Sequence, residues 1–404
     1  MFQLLVSNLN LKAMSISVTN VTQLYAAVNN PNNAGKTISL ARGIYILDPA
    51  MDTNLTGRLE LQPNMELHGQ VNNPASVIID ISRLPSTSYG PVSGGPNRTG
   101  AIRLGKGNNV LSGLTVIGNN NQLNTVALSV IDTDLKVLNA ISKIKISNCI
   151  VGGGRIGINV RNVGSDHDGR KIDVQLLNNV LVNNQQSDPG TQQGQGIVIQ
   201  HANGVSNATI KATLKGNFIY GNTIGVKIFN NSSNNNLDTL NNKIAITSKD
   251  DTIVMNKLGI SIGGGIHTGG TKKINGNSIV FNATHTTIQN NAGIIHDSVV
   301  EPSGIFVTGG SVSAGNVISN NKVNINLTDC TLSGNQHVDI MAYGAYTKTN
   351  NPLGYTPPIP PLPGTFNIVN IQLNGTSATA NVVKTDCFPT ETPSTNKVTV
   401  TKMP

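Results

Sequence analysis

Residues 217–231 read NFIYGNTIGVKIFNN, and close variants of this phrase recur along the chain. They are CIVGGGRIGINV from Cys149, NVLVNN followed by GQGIVIQ from Asn179, TIVMNKLGISI from Thr252, TIQNNAGIIH from Thr287 and TLSGNQHVDIM from Thr331. Each copy is an apolar triplet, a turn rich in Asn or Gly, and then a Gly followed by alternating apolar residues. A third alternating segment lies just upstream: KIKIS, KIDVQL, IKATLK, KIAIT and KVNINL. The unit is therefore three short period-two segments, too short and too β-branched for helix.

The middle residues of the triplets are Val151, Leu181, Ile219, Ile253, Ile288 and Leu332, which gives spacings of 30, 38, 34, 35 and 44 residues. A rigid helical repeat would not tolerate that spread; a solenoid whose coils share a core and differ in one loop does. Inward positions should be aliphatic, and Ile144, Ile146, Val174, Leu176, Ile244 and Ile246 fit. Corners need residues that tolerate left-handed backbone, which accounts for the NN, GN and GG pairs. Asn side chains stacked about 4.8 Å apart can also hydrogen-bond from coil to coil.

On these repeats the chain resembles the right-handed parallel β-helices of the pectin-lyase-like superfamily. Val21 to Leu47, VTQLYAAVNNPNNAGKTISLARGIYIL, is similar to the capping helix, strand and GxY turn that open family-six polysaccharide lyases. The likeness covers the opening and the coil pattern, not the catalytic motifs of that family. The expected fold is all-β: a single-stranded, three-sheet parallel β-helix with a short N-terminal capping helix. Its expected limits are a loose leader over 1–16, the helix over 17–384 with a proline-rich excursion at 350–365, and a tail over 385–404.

The leader MFQLLVSNLNLKAM lacks a basic start and a small-residue cleavage site, so it is a poor signal peptide. No run approaches the ~18 apolar residues of a membrane span. Cys149 and Cys330 should hold one position five coils apart, roughly 24 Å, beyond disulfide reach. Cys387 falls in the expected tail as a free thiol.

The net charge of +8 comes from 28 basic and 20 acidic residues. Lys143, Lys145, Lys171, Lys211, Lys215, Lys243 and Lys322 fall on the outward side of the KIxI segments and should form a lysine-lined groove, with Arg161 and Arg170 brought to its edge by the variable loops. A basic groove favours an anionic partner. Solubility alone would equally explain lysines on exposed strands. Nucleic acid is disfavoured, because aromatics are 3% of the chain and no stacking platform is visible.

The densest ionisable cluster is GSDHDGRKID, from Gly164 to Asp173. The resemblance implies a lyase centre there: Asp166, Asp168 and Asp173 holding Ca2+ against a substrate carboxylate, and Lys171, Arg170 or His167 handling the proton. The same residues also suit a polar turn. Asp132 and Asp134 form a second carboxylate pair, but IDTDL reads as a turn. His201, His267, His285 and His296 stand isolated, and GGGIHTGGTKK lacks the ending of a phosphate loop.

Two function classes follow. One is an extracellular or cell-surface β-helix that binds or processes an anionic polysaccharide, by lyase-type β-elimination if it is an enzyme. The other is a non-catalytic structural or adhesive β-helix. Oligomeric state is open, a homo-oligomer included.

Overall fold

The computed structural model describes residues 15–85, 100–118, 129–135, 141–184, 194–232, 237–267, 273–292, 295–296, 299–300, 304–312, 317–336, 338–347, 366–378, 382–388 and 396–403. The three segments of each unit enter three separate parallel sheets. Sheet A has twelve strands, from Ser15–Val18 to Lys397–Met403, and includes all the KIxI segments. Sheet B has ten, from Gly43–Ile46 to Ser377–Ala378, built from the triplets. Sheet C also has ten, from Leu59–Glu60 to Val382–Phe388, built from the Gly-led segments. Strand order in each sheet follows chain order, so each coil visits A, B and C in turn: a right-handed parallel β-helix.

Period two puts every second residue of a strand inside. In sheet A one inward column runs Leu67, Leu111, Ile146, Leu176, Leu214, Ser248, Ala283, Leu327 and Leu373 in continuous register. Ile146, Leu176 and Leu214 thus share one column, as the repeat requires. Full burial of such a Leu or Ile contributes about 1.5–3 kcal/mol.

Buried asparagines tie the corners together. Between A and B, Asn178 adopts the left-handed region (φ +53°) and Asn179 turns inward. The main-chain N–H and Nδ2 of Asn179 both donate to Asn217 Oδ1, at 3.0 and 3.1 Å. A second ladder, after sheet B, runs Asn184, Asn222, Asn256, Asn291 and Asn335. A third, before sheet A, runs Asn242, Asn277, Asn321, Asn367 and Asn396. Each double donation satisfies groups that would cost about 1–3 kcal/mol if buried without a partner.

The helix Val21–Val28 closes the N-terminal end. Asn20 caps it by accepting the Gln23 N–H at 3.0 Å, and Leu24, Tyr25, Ala27 and Val28 are buried. The ends depart from expectation. Ser15 and Ile16 already pair with Thr37 and Ile38, and Lys397–Met403, expected as tail, is the last strand of sheet A. The polar Thr/Lys sequence conceals a strand because only one of its faces meets the core. Cys387 pairs with Ala345 in sheet C instead of lying in a tail. Cys149 and Cys330 are buried free thiols at the A–B corner, and burial pushes the Cys149 thiol up to about 12. The proline-rich stretch at 350–365 lies outside the described residues.

Candidate functional site

Gly164 (φ +84°) turns the chain out of sheet C, and Ser165–His167 forms a single 3-10 turn before the sheet A strand Lys171–Leu177. This turn does not gather its charges at one point. His167 is 2% exposed and its Nδ1 accepts the Val163 N–H at 3.0 Å. Asp168 Oδ1 accepts the Ser206 N–H of the next coil at 2.7 Å. Asp166 is exposed. Asp173 sits on the outer face of sheet A, in register between Lys143 and Lys211.

Arg170, expected at a groove edge, is turned inward and 6% exposed. It donates to the carbonyls of Arg161 (3.2 Å), Thr133 (2.9 Å) and Leu135, to Asn162 Oδ1 (3.2 Å) and to Ser142 Oγ (3.3 Å). Burial pulls its pKa down to about 10, against the raising effect of Asp134 and Asp132. Its reach joins four stretches of backbone; it is a cross-link. Among the described residues no three His, Cys, Asp or Glu side chains come together as a metal site. Asp166, Asp168 and Asp173 therefore do not fit the calcium implied by the resemblance, and of the expected proton-handling groups only Lys171 is exposed.

The lysines behave differently. Lys143, Lys145, Lys171, Lys211, Lys215, Lys243, Lys249, Lys322 and Lys397 all lie on the outer face of sheet A and are exposed. They share one exposed sheet face; much of the variable-loop wall expected beside it lies outside the described residues. Among the described residues none of the nine has an ion-pair partner within 4.0 Å, and Glu66 and Asp173 are the acids on this face. One column reads Lys171, Thr209, Lys243, Ser278, Lys322, Ile368, Lys397. A lysine thus returns on every second coil, about 9.6 Å apart at ~4.8 Å per coil.

A buried ionic cluster on the outer side of sheet C escapes the sequence reading. Asp132 stands between Arg103 and Asn159 in register, and its neighbour Asp134 follows two residues on. Arg103 grips Asp134 with Nε (2.8 Å) and Nη2 (2.9 Å) and also pairs with Glu60. Arg161 grips Asp132 with Nε (2.9 Å) and Nη2 (2.7 Å), and its Nη2 lies 3.4 Å from Asp134 Oδ2. Asp132 and Asp134 are 0% and 3% exposed. Burial, helped by Asp134, pushes Asp132 up to about 6 although Arg161 opposes it. Asp134 suffers the same burial, but Arg103 and Arg161 outweigh it and hold its pKa low. Both carboxylates are enclosed and committed to guanidinium groups, so the cluster is built for holding coils together and not for meeting a polymer.

Further along, sheet C carries Phe229, Phe306 and Tyr343. Lys227 Nζ lies 5.0 Å from the ring centre of Phe229, and Phe306 meets Tyr343 edge-on at 5.9 Å. These residues occupy the alternate positions of the Gly-led strands that lie away from the aliphatic core, where Phe229 and Tyr343 are still buried.

No protein-family model matches the chain, and no curated protein is similar to it. Among solved structures it is similar to pectate lyase Pel9A, with TM-score 0.46 and 11% identity over 92% of this chain and 78% of that one. It is also similar to the A-module of the Azotobacter vinelandii mannuronan C-5 epimerase AlgE4, with TM-score 0.39 and 14% identity over 94% and 100% of the two chains. A third is the catalytic domain of a GH87 alpha-1,3-glucanase in complex with nigerose, with TM-score 0.33 and 14% identity over 96% and 68%.

Proposed function

We propose that this β-helix binds a linear anionic polysaccharide lengthwise along the outer face of sheet A, outside the cell or at its surface. The observation that carries this reading is the column Lys171, Lys243, Lys322 and Lys397, one lysine on every second coil of an exposed sheet face. An extended polymer with regularly spaced negative charges matches such a ladder. The spacing of about 9.6 Å is close to the screening length of ~10 Å at 0.1 M salt, so neighbouring lysines act on the polymer together when salt is low.

Solubility alone requires lysines but no spacing, and the regular column favours a ligand. Nucleic acid fits less well, because the described outward positions of sheet A hold no aromatic ring on which a base could stack. Turnover is not part of the proposal: Arg170 and His167 are internal, and the acidic residues of their loop diverge. No helix among the described residues is long and apolar enough to cross a membrane.

Immobilised alginate, pectate and chondroitin sulfate provide the test. The protein should be retained on at least one of them at about 0.05 M salt and released well before 1 M, as exposed charge contacts require. Passage through all three at low salt would remove the proposal.

A further inference from the structure

The outer face of sheet B is as apolar as that of sheet A is charged. Two outward rows cross its first seven strands. One runs Ile44, Ile78, Thr115, Ile150, Val180, Phe218, Thr252, the other Ile46, Asp80, Ile117, Gly152, Val182, Tyr220, Val254; of these Thr115, whose hydroxyl donates to Pro74 O at 3.1 Å, and Gly152 are buried. Ile44, Ile117 and Phe218 are 64%, 45% and 41% exposed. Asp80 is the one charged residue in these two rows. Beyond Val254 the apolar character stops: the next strands present Thr287, Gln289, Thr331 and Ser333.

We propose that this face is where two copies of the chain associate, sheet B against sheet B, about a two-fold axis running parallel to the strands at Ile150–Gly152. The pairing of the rows under that operation argues for a second copy over an unrelated partner. Such an axis reverses coil order and keeps each row opposite itself. The seven strands are symmetric about the strand Ile150–Gly152, so Ile150 faces its own copy, Gly152 faces its own copy, and Ile117 faces Val182. Asp80, in the second strand, comes opposite Tyr220, in the sixth. The patch's only charge therefore meets a phenol hydroxyl, and does so twice by symmetry. One Asp80 oxygen accepts the Ser82 N–H at 2.8 Å, which leaves the other for the hydroxyl.

Size sets the strength. The strip is about 29 Å long and roughly 10 Å wide at the usual strand spacing. Two corrugated strips of that size bury on the order of 1,000 Å² in total, the low end of specific interfaces, so the dimer should be reversible.

Sedimentation of the full chain tests this. Mass should rise toward twice that of the 404-residue chain between about 1 and 100 µM, the range of a small interface. Ile150→Lys, which sets two lysines against each other, should weaken association tenfold or more. Ile117→Lys should weaken it as well, and adding Val182→Glu to the same chain should restore it, since each introduced lysine then faces the partner's introduced glutamate. Should Ile150→Lys lose its far-ultraviolet strand signal, the Ile117/Val182 pair decides. A monomer throughout, a dimer unaffected by a folded Ile150→Lys, or a double variant no tighter than Ile117→Lys alone would overturn the proposal.

Discussion

The Asp251 carboxylate takes the place that an asparagine amide holds in the coils below it, accepting both the main-chain N–H (2.7 Å) and the Nδ2 (2.8 Å) of Asn217. Its second oxygen accepts the Ser248 hydroxyl at 2.6 Å, which explains why a serine interrupts the leucine column of sheet A at that coil. Burial raises the Asp251 pKa. A carboxyl raised in the folded state stabilises fully below its unfolded pKa, and that stability is lost as pH rises through the folded value. Asp251→Asn should therefore raise the melting temperature at pH 7–8, with the gain fading as pH falls into the ordinary carboxylate range. Thermal melts across pH check this; a lower melting temperature at pH 8 would show that the ionised form is the better ladder partner.

The amide ladder itself should be costly to cut. Asn222 donates to Leu181 O (3.1 Å), Tyr220 O (3.1 Å) and Asn256 Oδ1 (3.0 Å), and accepts two bonds from Asn184 at 3.0 Å. Asn222→Ala should destabilise by about 2–3 kcal/mol, because it leaves buried donors and acceptors without partners. Thr247→Ala, on an exposed strand face, should change stability by less than about 0.5 kcal/mol. Denaturant titration of both variants makes the comparison.

Two buried groups should give opposite pH slopes. His201 is held neutral, with Nε2 at 3.2 Å from Lys243 O and Nδ1 at 3.3 Å from Asn162 Nδ2, and burial lowers its pKa to about 4. Stability from this source is complete above about 6.5 and falls as pH drops toward 4, by on the order of 3 kcal/mol. Asp132, raised to about 6, acts the other way: its contribution is complete below the ordinary carboxylate pKa and is lost as pH rises through 6. His201→Gln should expose the falling slope, and Asp132→Asn the rising one. Parallel curves for both variants would contradict the assignment.

The sheet C cluster should be unforgiving of single changes. Arg161→Ala leaves Asp132 buried without its main cation and should cost about 3–5 kcal/mol, whereas Arg161→Met combined with Asp132→Leu should recover most of that loss. Denaturant unfolding of the two variants tests it, and additive losses would show that the ions do not act as a pair.

Much of the coil was legible in the sequence. The inward column Ile146, Leu176, Leu214 follows from period two, and Asn178–Asn179 announces both the left-handed corner and the ladder. The lysines were legible as outward residues, but not their return on alternate coils: spacings of 30 to 44 residues hide the register until backbone pairing fixes it. The assembly of Arg103, Asp132, Asp134 and Arg161 was hidden for the same reason, since coil stacking alone brings them together, and Arg161, expected at a groove edge, is buried against Asp132. Asp132 and Asp134 alternate as a strand does, yet the short IDTDL run reads equally well as a turn. Arg170 was misplaced because nothing local distinguishes an arginine that cross-links backbone carbonyls from one that faces solvent.

Lys171 separates binding from turnover. Incubation with alginate, pectate or chondroitin sulfate should give no rise in ultraviolet absorbance from unsaturated uronates, and Lys171→Ala should alter stability by less than about 0.5 kcal/mol. A rise that Lys171→Ala abolishes would restore a lyase role to that lysine.

The most direct test of the central claim is the salt dependence of polysaccharide affinity for the native chain and for the triple variant Lys171→Gln, Lys243→Gln, Lys322→Gln. These lysines are exposed and unpaired among the described residues, so the variant should melt like the native protein. The column predicts tenfold or more weaker binding at about 0.05 M salt and a visibly flatter salt slope, as exposed charge contacts demand. Equal affinity and equal slope for the two proteins would contradict it and leave the lysines a role in solubility alone.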